Sequence, residues 1–221
     1  MEPMTGADLE PLRVLHADDA LLVFDKPAGL LSVPGRGEDK QDCLSARAQR
    51  AYPDALVVHR LDMATSGILV MGRGAEMQRR LSIAFAGREV RKQYQAVAHG
   101  MLYGSGDDWQ LIDAAILLDW PRRPLHIIDA AHGKPSTTRW RVIETMPGGQ
   151  ATRVELEPVT GRTHQLRVHL QHIGHPILGD RLYAPPDVQA LSPRLLLHAC
   201  ALEIAHPATG EAMRFTSDVP F

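Results

Sequence analysis

Two apolar runs separated by nine polar-rich residues constrain this chain more than any other feature. Ala55-Leu56-Val57-Val58 and Ile68-Leu69-Val70-Met71 have the length and composition of strands, and between them lies His59-Arg60-Leu61-Asp62-Met63-Ala64-Thr65-Ser66-Gly67. The segment reads as strand, small polar loop, strand. A two-residue period carried through the first strand sends Val58, Arg60 and Asp62 to one side and Val57, His59 and Leu61 to the other. One face then ends on a cation and a carboxylate where a strand gives way to a loop, the kind of place where scaffolds present reactive groups. The residues alone leave a plainer alternative open: Asp62 as a turn residue that accepts from the Ser66 or Gly67 amides.

The rest of the chain is rich in hairpins. Leu12 to His16 and Leu21 to Asp25 are apolar segments joined at Asp18-Asp19. Trp140 to Thr145 and Thr152 to Glu157 flank Pro147-Gly148-Gly149, and Leu195 to Ala205 and Met213 to Thr216 flank Pro207-Ala208-Thr209-Gly210, so both read as antiparallel pairs. Asp42 is placed to cap a helix through about Tyr52, stopped by Pro53, and a longer helix is expected from near Ala75 to Phe85, ending at Gly87. Strands outnumber helices without regular strand-helix alternation. The inference is an α+β chain with a mostly antiparallel mixed sheet and peripheral helices.

With 221 residues and 44% hydrophobic content the chain can bury one core, or a core divided by a cleft. One compact unit is expected over residues 12–221, behind a loose tail over residues 1–11 rich in Pro, Gly and acids. No apolar run reaches the roughly 18 residues that cross a bilayer, and the first residues lack the basic and apolar regions of a signal peptide, so a cytoplasmic protein without membrane contact is expected. Cys43 and Cys200 stand far apart, which indicates neither a disulfide framework nor a thiolate metal site.

Four ordered blocks carry a resemblance. His59-Arg60-Leu61-Asp62 with Thr65-Ser66-Gly67 resembles the signature of the RluA-type RNA pseudouridine synthases without a departure. Val90-Arg91-Lys92-Gln93-Tyr94 is similar to the segment that supplies that family's active-site tyrosine. Gly161-Arg162-Thr163-His164-Gln165-Leu166-Arg167-Val168-His169-Leu170 resembles its third motif, and Gly174-His175-Pro176-Ile177-Leu178-Gly179-Asp180 the stretch that follows; Lys26-Pro27-Ala28-Gly29-Leu30 fits the first. The resemblance implies a pseudouridine synthase fold, a central antiparallel sheet divided by an RNA-binding cleft. Many relatives add a small RNA-binding domain before the catalytic one. With only residues 1–11 ahead of the first strand, recognition is expected to come from the catalytic domain and to favour short stem-loops. Leu31 to Arg36 and Leu195 to Ala199 look most like members that modify a transfer RNA anticodon stem-loop and a related loop of large-subunit ribosomal RNA.

Pseudouridine formation breaks the N1 to C1′ bond of a uridine, turns the uracil and joins C5 to C1′. It needs no redox step and no cofactor. The uracil must leave its stack for a pocket. The resemblance implies Asp62 as the catalytic anion, Tyr94 against the extracted ring, and Arg60 filling the vacated stack. It also assigns Arg162 as the partner of Asp62, holding it ionised in a partly dry pocket where burial alone favours protonation. Thr163 is placed to cap a helix from His164 to about Ile173, on which Leu166, Leu170 and Ile173 form one apolar stripe with Val168 outside it. Leu166 reads equally as core or as apolar pocket wall. The expected RNA contacts are Arg60 with His59 and Thr65, then His164, Gln165, Leu166 and Arg167. Arg122, Arg123 and Lys134 are expected to grip the stem phosphates.

A metal site from His164, His169, His172 and His175 is not indicated, because no acid or cysteine accompanies them at a known ligand spacing. His198 and His206 read as structural. A glycosidic-bond hydrolase is a competing reading, but most glycosidases use two carboxylates and Asp62 has no second acid in its motif. A module that binds RNA without chemistry has no physical need for a carboxylate near phosphates. The net charge of −2 sits awkwardly with RNA binding. Basic residues nevertheless gather at Arg88 to Lys92, Arg122-Arg123 and Lys134 to Arg141, so a basic cleft on a mildly acidic body is expected, with binding sensitive to salt. Arg79-Arg80 reads as an ordinary solvated helix face. Monomer is the default expectation.

Overall fold

The computed structural model describes residues 12–104 and 108–221, so the expected tail over residues 1–11 lies outside the described residues. The chain opens with the hairpin β1 (Arg13–Ala17) and β2 (Leu21–Lys26), whose turn is held by the Asp18 carboxylate accepting from the Ala20 and Leu21 amides at 2.8 Å each. Helix α1 (Leu44–Ala51) and the short β3 (Ala55–Val57) follow, then β4 (Ser66–Arg73), α2 (Gly74–Ala86) and β5 (Arg91–His99). The second half contains β6 (Gln110–Asp113), a separate hairpin of β7 (Ile116–Leu118) and β8 (His126–Ile128), then β9 (Thr137–Thr145), β10 (Ala151–Pro158) and α3 (Gln165–His172). The one-turn α4 (Pro186–Gln189), β11 (Leu197–Ala205) and β12 (Ala212–Thr216) close the chain.

Ten strands form one sheet in the order β1-β2-β4-β11-β5-β10-β9-β6, with β12 on β11 and β3 on β4. Every pairing is antiparallel except β4 with β11, where His198 faces Ser66 and Ala199 faces Gly67. This is the expected α+β architecture.

Alternation decides which face each residue serves. On β2, Leu22 and Phe24 pack with Leu69 and Met71 of β4 against Leu44 and Ala48 of α1, while Leu21 and Val23 pack with Ile68 and Val70 against Leu81 of α2. Both faces of this pair are covered, which is why β2 and β4 read as continuous apolar runs. In the other half, Ala96 of β5, Val154 and Leu156 of β10 and Trp140 of β9 bury one face under Leu166 and Leu170 of α3. Tyr94 packs against the cores of both halves.

The α1 boundary differs from expectation. Cys43 is the N-cap, its sulfur accepting from Ala46 N–H at 3.4 Å, while Asp42 instead forms a two-pronged pair with Arg47 at 2.8 and 2.6 Å. Helix α2 ends at Gly87 as expected.

Candidate active site

The loop that displays Asp62 is not a continuation of β3, which ends at Val57. The segment after β2 holds the loop in place of a strand partner. Ser32 Oγ donates to the Leu61 carbonyl at 2.6 Å and accepts from the Leu61 amide at 3.0 Å. Gly29 N–H donates to the Met63 carbonyl at 2.8 Å, and the fully buried Lys26 Nζ donates to the carbonyls of Pro27, Leu30 and Met63 at 2.9, 2.8 and 3.2 Å. Residues on both sides of Asp62 are therefore pinned. The strand itself stops early, yet burial still alternates as expected: Arg60 is exposed, Leu61 buried and Asp62 half-buried.

Gly67 closes the motif for a steric reason. Its φ is 110°, and a β-carbon there would land inside the backbone of Ala199 on β11. Only glycine lets the parallel β4·β11 junction form at this separation. Gly179 serves likewise beside Arg194, with φ 72°.

A cleft of about 1110 Å³ crosses the junction of the two halves, lined by Arg60, Asp62, Tyr94, Arg162, His164 and Leu166 among others. Most sequence-predicted groups are thus brought together. The partner of Asp62 is the main correction. Arg167, not Arg162, pairs with it: Arg167 Nη1 donates to Asp62 Oδ2 at 3.0 Å, and its other edge grips Asp180 at 2.8 and 2.7 Å. The side chains of Arg167, Asp180 and Asp62 are 4%, 0% and 24% exposed, so the arginine bridges a buried acid and the one that reaches the cleft. Arg162 is exposed on the preceding loop, with its Nε 3.4 Å from the Pro135 carbonyl. The physical reason is the direction each side chain faces: Arg167, in the first turn of α3, is turned into the protein toward Asp180 and Asp62, while Arg162 stands exposed on the loop before the helix. Arg167, expected to touch RNA, is instead enclosed by protein.

Thr163 is exposed and does not cap α3; the residue before the helix is His164, left-handed with φ 56°. Such a conformation costs a non-glycine residue about 1–2 kcal/mol. Gln165 holds it in place. Its Oε1 accepts from Thr160 Oγ1 at 2.7 Å and the Arg162 amide at 3.0 Å, while Nε2 donates to Thr137 O and Thr138 Oγ1, both at 3.0 Å. With its amide fully used, Gln165 is a loop clamp rather than the expected RNA contact. Thr65 is also buried, and its amide donates to the Asp62 carbonyl at 3.1 Å.

His59 stacks on Phe85, with centroids 4.4 Å apart, and its Nε2 accepts from Val70 N–H at 3.0 Å. Burial first, then Lys92, pull its pKa down to about 3, so the ring is a neutral acceptor that anchors the loop to β4. Burial likewise pushes the Tyr94 phenol up, and Asp62 adds to the effect, leaving a neutral aromatic ring in the cleft. Leu166 takes both roles left open for it, in the core of one half and in the cleft wall. Val168, outside the predicted stripe, is nonetheless fully buried because α3 is enclosed on more than one side.

Arg122 donates to Asp119 at 2.6 Å, Arg123 stacks on Trp120 at 4.2 Å, and Lys134 is exposed beside β7; none of the three lines the cleft. His169 uses both ring nitrogens, on Thr138 Oγ1 and the Ala114 carbonyl. No group of three His, Cys, Asp or Glu residues among the described residues is arranged to hold a metal. No helix among them is long and apolar enough to cross a membrane. Sequence reasoning missed Tyr183 and the structural weight of Lys26. Asp180, in the sequence the end of a motif block, accepts from the Leu182 and Tyr183 amides and also holds the far end of the Arg167 bridge.

The profile described as RNA pseudouridylate synthase matches residues 20–172. The chain belongs to the RNA pseudouridylate synthase family. Within it, the dual-specificity RNA pseudouridine synthase RluA of Escherichia coli strain K12 is 48% identical over 210 residues, spanning 95% of this chain and 94% of that protein. The Haemophilus influenzae RluA is 42% identical over 214 residues, 96% of each. Among solved structures, Human RNA Pseudouridylate Synthase Domain Containing 1 matches with a TM-score of 0.78 and 29% identity, over 100% of this chain and 87% of that one. Human RNA Pseudouridylate Synthase Domain Containing 4 matches with 0.72 and 25%, over 94% and 88%. As an RNA pseudouridylate synthase the protein is an isomerase of uridine in RNA.

Proposed function

We propose that Asp62 is the group that starts the isomerisation and that the cleft around it receives one flipped uridine. The observation that carries this reading is a carboxylate displayed at the cleft on a loop pinned from both sides, with one oxygen held by a buried arginine, whereas Glu157 in the same cleft is taken up by Arg91 and Arg139. An anion so placed serves each route open to the reaction: attack at C1′, addition at uracil C6, or removal of a ribose proton. In all three the N1 to C1′ bond breaks, C5 joins C1′, and the C5 proton leaves, so no oxidant or cofactor is consumed. Tyr94 offers its neutral ring as a stacking surface, an interaction worth on the order of 1–3 kcal/mol that reads shape rather than sequence. Arg60, exposed at the rim, is placed to fill the gap left in the RNA stack.

The targets we propose are a transfer RNA anticodon stem-loop and a large-subunit ribosomal RNA loop. Support comes from the similarity to relatives named as dual-specificity enzymes over nearly the whole chain. Arg122, Arg123 and Lys134, away from the cleft, are proposed to bind the stem. Tritium release from RNA fragments labelled at uridine C5 tests both parts. Release by the native protein that vanishes with Asp62→Asn supports the assignment, and the fragment that reacts identifies the target. Release undiminished in the variant removes Asp62 from the chemistry, and failure of both fragments removes the proposed targets.

A further inference from the structure

Arg167 accounts for one oxygen of Asp62. The other, Oδ1, faces His164 Nε2 at 3.8 Å, too long for a hydrogen bond in the free protein but less than an ångström or so from one. Which proton the ring presents there is set behind it. Tyr183 lies on the far side of His164 from the cleft, its hydroxyl 2.6 Å from His164 Nδ1 and accepting from the backbone N–H of His126 at 3.0 Å. Were Nδ1 protonated, the hydroxyl would meet two N–H donors and its own hydrogen would find no acceptor among the described residues. The consistent arrangement has Tyr183 donating to Nδ1, which puts the single ring proton on Nε2, toward Asp62. Burial, the largest influence, with Arg167 and His126, lowers the ring's pKa against the opposing pull of Asp62 and Asp180, in keeping with a neutral ring.

Tyr183 is held by the same acid that holds Arg167. Asp180 Oδ1 accepts from the Leu182 and Tyr183 amides at 2.9 and 3.2 Å, and the Arg167 guanidinium lies 5.1 Å over the Tyr183 ring. Two arms therefore leave one fully buried carboxylate and converge on another: Arg167 on Oδ2, and Tyr183 through His164 on Oδ1. We propose that His164 is a positioning residue for Asp62, its Nε2–H aimed at Oδ1 by a tautomer that Tyr183 sets, the gap closing when RNA fills the cleft. Catalytic hydrogen bonds are commonly long in the free enzyme and tighten in the complex. The left-handed backbone at His164 fits a residue held for a task rather than for comfort.

This inference rests on the reading of Asp62 as the reacting group, and the test separates the two. Long-range proton-nitrogen NMR of the free protein near neutral pH reads the His164 tautomer independently of turnover. The Nε2–H form is expected in the native protein and a mixture in Tyr183→Phe. Single-turnover conversion at saturating RNA is then expected to fall about ten- to a hundredfold in Tyr183→Phe, the scale of a misplaced reacting group, with RNA affinity within about twofold of native. His164→Gln, which keeps an N–H donor without needing a tautomer, is expected to outperform His164→Leu. Adding Tyr183→Phe to His164→Gln is expected to cost nothing further. An Nδ1–H tautomer in the native protein, a Tyr183→Phe loss of equal size in the His164→Gln background, or equal rates for His164→Gln and His164→Leu would each overturn the proposal. Should Tyr183→Phe fail to fold, the native tautomer and the two His164 variants still decide it. Full turnover by Asp62→Asn would instead mark failure of the underlying reading.

Discussion

Arg162 and Arg167 lie within one motif, but the consequences of losing them differ because of what each leaves behind. Replacing Arg167 by Gln strands the fully buried Asp180 without its cation, and breaking a buried pair from one side typically costs about 3–5 kcal/mol. Arg162→Gln removes an exposed side chain and is expected to change stability by no more than about 0.5 kcal/mol. Urea unfolding of the two variants checks this, and equal losses would contradict the assignment of Arg167 as the buried bridge. His59 gives a second prediction at this scale. Its folded pKa of about 3 lies below its ordinary 6.5, so the unfolded chain binds the extra proton first as the pH falls. The stability it contributes is full above about 6.5 and is lost progressively toward about 3. At about pH 5 the loss is on the order of 2 kcal/mol. His59→Gln, which keeps an acceptor for Val70 N–H but does not titrate, is expected to flatten that part of the stability-pH curve; an unchanged slope would assign the effect elsewhere.

At the scale of elements, Gly67→Ala tests whether the parallel junction depends on the absence of a side chain. The added carbon meets backbone rather than a side chain that can swing away, at a φ of 110° that alanine avoids. A loss of about 3 kcal/mol or more in urea unfolding is expected, with turnover falling alongside because the strand that follows Asp62 must shift. A variant as stable as the native chain would show that β4 and β11 can part at no cost. This junction also marks how far the sequence could be read. The hairpins β1-β2, β9-β10 and β11-β12 were legible because alternation and turn residues are local signals. The residues after Val57 kept a strand-like pattern, yet Ser32, Gly29 and Lys26 hold them as a loop, and no local period reports a distant hydroxyl or ammonium. The start of α3 was misjudged for a related reason: Gln165 folds its amide back onto the preceding turn and His164 turns left-handed, so the helix begins past Thr163. The exchange of Arg162 for Arg167 has a different cause, since Arg162 precedes the helix either way: only the tertiary fold brings Asp180 and Asp62 to Arg167. Asp62, Tyr94, Arg60 and Leu166 were found at the cleft because their motif blocks name them, whereas Tyr183 carried no signal beyond the fold that brings it behind His164.

Across the whole molecule, an enzyme that acts on RNA with a net charge of −2 must place its cations unevenly. Many of its arginines are already answered by acids: Arg91 and Arg139 share Glu157, Arg141 meets Glu155, Arg153 meets Glu144, and Arg79 and Arg80 meet Glu76 on α2. Basic clusters in the sequence therefore overstate the surface available to phosphates. Arg60, Arg123 and Lys134 are exposed, with no acid paired to them among the described residues, and Arg123 is further held flat against Trp120. Removing one cation that neutralises a phosphate should reduce the steepness of log affinity against log salt by about one. Combined Arg60→Gln, Arg123→Gln and Lys134→Gln is expected to weaken RNA binding at low salt and lower that slope by roughly 2–3. Arg79→Gln with Arg80→Gln removes two charges rather than three, from a face already paired with Glu76, and is expected to leave the slope almost unchanged. Filter binding of one stem-loop across a salt series compares the two sets directly. Equal reductions in slope would mean that net charge, rather than the placement of unanswered cations near the cleft and the β7-β8 hairpin, governs how this body of mildly negative charge holds a polyanion.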